Sequence, residues 1–181
     1  DEDVTPQNEP APTPLFPSAC YPLDDHEVKD ISADRRKPIE YGSQHIAETW
    51  GGSTRDHTMG NLGEDALLQY AQQYDGPNLE VIPDGGDGGT DLRINGAEVQ
   101  VKTVGQRHAE QPELWVDAHH PCSADYYVLV SRIGPGSFRL IGYAPRWFVW
   151  NAPKRHYDGN PSRVVDREYL FPIPRMNPVH L

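Results

Sequence analysis

In the stretch TDLRINGAEVQVKT, residues 90–103, two alternating runs flank Asn95-Gly96, the strongest short signal for a two-residue β-hairpin. Such a loop fixes the register. Ile94 is then expected opposite Ala97, Arg93 opposite Glu98, Leu92 opposite Val99 and Asp91 opposite Gln100. Side chains alternate along a strand, so Leu92, Ile94, Ala97, Val99 and Val101 share an apolar face. Asp91, Arg93, Glu98, Gln100 and Lys102 share the other. Opposed Cβ atoms sit about 4.5 to 5.5 Å apart, close enough for the Asp91 carboxylate and the Gln100 amide oxygen to hold one hard cation between them. Lys102 follows on the same face.

That set of groups suits metal-assisted hydrolysis of a phosphodiester. A divalent ion, Mg²⁺ by default or Mn²⁺, takes oxygen ligands from Asp91, Gln100 and the Val101 carbonyl, polarises phosphate and lowers the pKa of bound water. Lys102 is placed to orient or deprotonate that water and to offset charge developing on phosphorus. Glu64, upstream, can approach the same ion directly or through water. Glu98 lies two residues before Gln100 and is the alternative second acid.

The elements that must position these groups are legible in outline. Leu67, Leu68, Ala71 and Tyr74 form an apolar stripe on a helix over about residues 62–74. Asn61 is its expected cap, Glu64 occupies the capping-box position, and Gly76-Pro77 ends it. Leu79 to Ile82 reads as a short strand before the glycine-rich turn DGGDGGTD, residues 84–91. Leu114 to Val116, Tyr126 to Ser131 and Phe138 to Tyr143 read as further strands of one sheet, the last two joined by GPGS. Pro145 is suited to open a short helix carrying Trp147, Phe148 and Trp150, and Val164 to Leu170 reads as a last strand. Residues 1–40, with six prolines among the first 22 residues, read as an irregular arm, and residues 41–181 as one domain. A short helix from Ser43 to Trp50 opens that domain. The expected fold class is α/β, one mixed sheet flanked by helices.

At these residues the chain resembles the PD-(D/E)XK, or restriction-endonuclease-like, superfamily. Its pattern is a helix acid, an Asp at the start of a hairpin, then Glu or Gln, any residue, and Lys on the next strand. The matching positions are Glu64 in GEDALL, Asp91 in GGTDL, and Gln100 and Lys102 in VQVKT. The glycine-rich approach and the Gln look most like the Mrr-type branch. The resemblance implies a restriction-endonuclease-like core and an Mg²⁺-dependent DNA endonuclease, with Asp91, Gln100, Lys102 and Glu64 as catalytic residues. Asp91, Gln100, Glu64 and Glu98 are its candidate metal ligands and DNA its partner. Pro83 precedes Asp84, whereas Thr90 precedes the Asp that falls in register. A Holliday-junction resolvase, which works as a symmetric homodimer, a nuclease-fold binding module without catalysis, and an RNA-directed nuclease are the rival readings.

Composition narrows the remaining classes. No apolar run approaches the roughly 20 residues of a membrane span, and the first 30 residues show no secretory signal, so a cytoplasmic protein is the expectation. Cys20 and Cys122 can form at most one bridge, which excludes a disulfide framework. The histidines, His119 and His120 included, lack zinc spacing with cysteine, and the glycine-aspartate turn has neither EF-hand spacing nor the Gly-Lys-Ser/Thr ending of a phosphate loop. Net charge is -11: residues 1–101 carry 6 basic and 20 acidic side chains, residues 102–181 carry 10 and 7. A polyanion is therefore expected to meet the later half. Arg146, Trp147, Trp150, Lys154 and Arg155 combine cations with aromatics there, although helix-core tryptophans with a solvated cationic fringe is the simpler account.

Overall fold

The computed structural model describes residues 15–16, 26–73, 79–81, 91–108, 110–119, 123–157 and 159–175. The predicted helix terminators Gly76-Pro77, most of the glycine-rich turn, both cysteines and His120 lie outside the described residues.

A six-stranded mixed sheet has the order β1-β7-β6-β4-β3-β2. Its strands are β1 (Glu27–Asp30), β2 (Leu79–Val81), β3 (Leu92–Ile94), β4 (Ala97–Val104), β6 (Tyr126–Gly134) and β7 (Ser137–Pro145). β4 and β6 run parallel and the other neighbours antiparallel. β6 is buried from Tyr126 to Ser131, as expected of a central strand covered on both faces. Gly136, at φ 73, makes the tight turn into β7.

Two helices, α1 (Ala33–Trp50) and α2 (Thr54–Gln73), cover one face. Leu62, Ala66, Leu67, Tyr70 and Ala71 of α2 pack there against Leu92, Ile94, Val99, Val101 and Val128. Among the described residues no long helix covers the opposite face, in contrast to the expected flanking. A second, three-stranded sheet lies there, order β5-β9-β8, formed by β5 (Glu113–Asp117), β8 (Lys154–Tyr157) and β9 (Asn160–Asp166). Together with the five-residue α3 (Arg146–Trp150), it buries Leu114, Val116, Val149 and Val165 against Tyr127, Leu129 and Ile141. β5 thus belongs to a different sheet from the one expected. Period-two alternation identifies a half-buried strand but does not select its partner.

Regular structure is present before residue 40, within the stretch expected to be an arm. β1 pairs with β7 from Glu27↔Leu140 to Asp30↔Ser137, and α1 starts at Ala33 and runs through Pro38. α1 is largely exposed, and its anchors are polar contacts with α2. Arg35 Nε donates to Asp65 Oδ2 at 3.0 Å, Arg35 also pairs with Asp65 Oδ1, and Asn61 Nδ2 donates to Ser43 Oγ at 2.9 Å.

α2 likewise begins eight residues before the expected start. Ser53 caps it, its Oγ accepting the Asp56 N–H at 3.2 Å, so Asn61 and Glu64 are interior positions. Gly63 explains why a helix tolerates a weak helix former here: a Cβ at that position would lie 2.1 Å from Thr103 Oγ1. The glycine lets α2 press onto β4.

The end of the described chain returns to this layer. Tyr143 and Phe171 exchange backbone hydrogen bonds at 2.9 and 2.8 Å, and the Tyr70 hydroxyl donates to the Pro174 carbonyl at 2.6 Å.

Candidate active site

The hairpin turn falls at Asn95-Gly96, both with positive φ (52 and 81), the pair of left-handed residues that a type I′ turn requires. The ladder is Ile94↔Ala97, Arg93↔Glu98 and Leu92↔Val99, as expected. The faces also separate as expected. Leu92, Ile94, Val99 and Val101 are buried, while Asp91, Arg93, Glu98, Gln100 and Lys102 are half-buried.

The expected Asp91–Gln100 opposition is where the register departs. The ladder stops at Leu92↔Val99, and the Asp91 N–H donates to the same Val99 carbonyl at 2.8 Å, so Asp91 and Leu92 both match one residue. The Asp91 carboxylate then crosses β4 and accepts the Val101 N–H at 2.8 Å. Asp91 is therefore bonded to the residues on either side of Gln100. Gln100 and Lys102 lie next to Tyr127 and Leu129 of β6, and Lys102 is near enough to Asp91 to favour its ionised form.

Glu64 reaches Asp91 from α2, one residue after the Gly63–Thr103 contact, and the two carboxyls share a hydrogen bond. Burial pushes the Glu64 carboxyl up to about 8, with the Asp91 charge and that hydrogen bond adding to the rise. Burial raises Asp91 as well, opposed by the Val101 N–H, the Lys102 ammonium and the bond from Glu64. The pair holds a proton near neutral pH because two carboxylates in a poorly hydrated place cannot both ionise.

Two adjacent acids, with an amide side chain on the adjoining strand, are a donor set suited to a hard divalent ion in place of that proton. Among the described residues, no three His, Cys, Asp or Glu side chains converge as a metal-holding group. Among the described residues, the carboxylates that meet here are Glu64 and Asp91. Glu98, the alternative second acid, instead pairs with Arg93 across the ladder at 3.2 Å, both side chains partly exposed. Sequence reasoning missed Gly63, whose signal was available as a lone glycine inside an amphipathic pattern.

Cations of the later cluster, Arg146 and Arg155, lie beside acids, whereas the indole N–H groups of Trp147 and Trp150 are buried without a hydrogen-bond partner among the described residues. Arg155 pairs with Glu113 at 2.9 Å, Arg146 lies 3.8 Å from Asp125, and Arg163 stacks over Trp150 at 5.3 Å. Trp147 and Trp150 are half-buried rather than core. No helix among the described residues is long and apolar enough to cross a membrane. Comparison of the chain with protein-family models and with curated proteins gives no match to either.

Proposed function

We propose that the protein is a metal-dependent endonuclease that hydrolyses DNA phosphodiester bonds, within a restriction-endonuclease-like core. What supports this reading is the approach of the mostly buried Glu64 carboxyl to Asp91, whose carboxylate is held by the Val101 N–H with Lys102 close by. A structural acid is normally given a cation or several N–H donors; here the helix acid is given a second acid. The cost of that arrangement is removed when a divalent cation binds. The order of elements adds support: an acid-bearing helix, a hairpin whose first strand opens at Asp91, and a strand parallel to the hairpin's second strand.

Asp91 and Glu64 would hold Mg²⁺ or Mn²⁺, with Gln100 as an oxygen donor, and the ion supplies Lewis-acid polarisation of the phosphate and a more acidic water. The chain's own groups do the rest. The Val101 N–H fixes the rotamer of the Asp91 carboxylate. Lys102 carries a positive charge beside Asp91, where it can orient the attacking water and offset charge on the pentacoordinate phosphorus.

The test is incubation of supercoiled plasmid, linear duplex, four-way-junction DNA and RNA with Mg²⁺ or Mn²⁺ across a range of salt. The unaltered chain is compared with Asp91→Ala and Lys102→Ala. Metal-dependent cutting that both substitutions abolish is the expected result. Equal cutting by all three proteins, or none by any, would overturn the nuclease reading.

A further inference from the structure

A groove of about 590 Å³ lies between α1, α2 and the β6–β7 turn, away from the carboxyl pair. Its cations are Arg36, Lys37, Arg55 and Arg132, against one carboxylate, Glu40. None of the four side chains takes part in an ion pair or hydrogen bond among the described residues. Elsewhere in this chain of net charge -11, Lys29, Arg35, Arg93, Arg146 and Arg155 each sit within ion-pair distance of an acid.

Two further observations point to an anionic ligand. Arg36 lies over Gly136, so close that a Cβ there would be 3.0 Å from its Cδ, and its Nε is buried without a hydrogen-bond partner. Tyr41, one turn after Lys37 on α1, also lines the groove and is 77% exposed. An aromatic ring standing in water among unpaired cations is the surface on which unstacked bases pile while their phosphates are neutralised.

We infer that this groove binds a single-stranded stretch of nucleic acid, with Arg36, Lys37, Arg55 and Arg132 on its phosphates and Tyr41 stacked on a base. The inference deepens the nuclease reading and rests on it for the identity of the polyanion. Thr54, Thr58 and Leu62 of α2 line the groove, and Glu64 follows on another side of the same helix. From Thr58 to Glu64 is about 9 Å along the axis. A polymer, unlike a lone phosphate, can occupy the groove and reach the carboxyls together. The substrate so described is DNA with an unpaired segment, such as a flap, bubble or branch.

The experiment is fluorescence anisotropy of a labelled single-stranded oligonucleotide, with its duplex and heparin as competitors. The proteins are the full chain with Asp91→Asn, which prevents cutting, and the same chain with Lys37→Gln plus Arg55→Gln or with Tyr41→Ala. All three groove positions are exposed, and thermal melts check that the fold is kept. The single strand is expected to bind more tightly than the duplex. Removing two charges should lower the salt slope by about 1.4, and Tyr41→Ala should weaken binding roughly 5- to 100-fold. Unchanged binding by the groove variants, tighter binding of duplex, or competition by heparin that Tyr41→Ala does not affect would overturn it. If the groove variants fail to change binding while Asp91→Asn abolishes cutting, the groove is wrong and the nuclease stands. If binding is lost and no DNA is ever cut, the nuclease is wrong and the groove stands as a binding site.

Discussion

Glu64 and Asp65 are neighbours on α2, both largely withdrawn from water, and they meet opposite fates. Asp65 receives a bidentate guanidinium from Arg35 and an amide hydrogen bond from Gln69 at 2.9 Å, which ties α1 to α2. Glu64 receives Asp91, another acid. The first arrangement compensates a buried charge and holds two helices together; the second leaves a buried charge uncompensated unless a proton or cation joins it. One side chain is paired within the fold; the next, on the proposed reading, would accept a cation from outside it.

The contrast is sharpened first by chemistry. Asp91→Asn, which keeps shape and removes one charge, is expected to lower the rate of metal-dependent cutting about 10³-fold or more in a single-turnover assay, with the melting curve preserved. Asp65→Asn should leave the rate within a few-fold. A comparable loss at Asp65 would break the distinction.

Next in size is Gly63, which precedes both acids. Gly63→Ala gains about 1 kcal/mol of intrinsic helix preference. It nonetheless drives a methyl group into Thr103 and is expected to cost about 2 kcal/mol net in urea titration. Thr103→Ala, made in the same chain, should restore part of that loss. A stabilised Gly63→Ala would show that α2 does not press on β4.

The pH dependence separates the two acids directly. Glu64 is raised from 4.5 to about 8 on folding, so the folded protein keeps a proton that the unfolded chain releases above 4.5. Stability therefore falls as pH rises from about 4.5 to 8 and levels off beyond. Glu64→Gln should flatten that slope and raise stability at pH 8.5 by on the order of 2 kcal/mol, with little difference at pH 5. Mg²⁺ should raise the melting temperature of the unaltered chain more at pH 8 than at pH 6, because it competes with the proton. A Glu64→Gln chain that parallels the unaltered one at every pH would mean that the pair does not share a proton.

The smallest expected effect is on the compensated side. Asp65→Ala leaves Arg35 without its partner; since the Arg35 side chain is 45% exposed, water recovers much of the loss, and about 1–2 kcal/mol is expected from denaturant unfolding.

The part of this site written in local chemistry was legible in the sequence. A two-residue turn determines its own register, so Asn95-Gly96 and the two faces of the hairpin follow from 14 consecutive residues. What needs distant partners was not. The alternation rule put Asp91 across from Gln100, but the start of a short strand is free to step out of the ladder, and Asp91 uses that freedom to reach the Val101 N–H. Glu64 could be read as a helix cap because Gly60 and Asn61 look like a boundary. Only the packing of Gly63 on Thr103 shows why the helix continues through them. β1 and the first half of α1 were hidden by charge and by Pro38, since α1 is held by Arg35–Asp65 and Asn61–Ser43 rather than by an apolar stripe. The count of charges by halves gave the sign of each half but not its placement: Arg36, Lys37 and Arg55 belong to the acidic half and still gather in one groove.

The bond from the Tyr70 hydroxyl to Pro174 has a bearing on when the acids meet. During synthesis α2 emerges more than a hundred residues before the carbonyl that clasps it, and the β7 strand to which Phe171 bonds is also made late. Until then the helix lacks one of its tethers. The clasp from Pro174 thus couples the seating of α2, and with it the meeting of Glu64 and Asp91, to a segment made more than a hundred residues later.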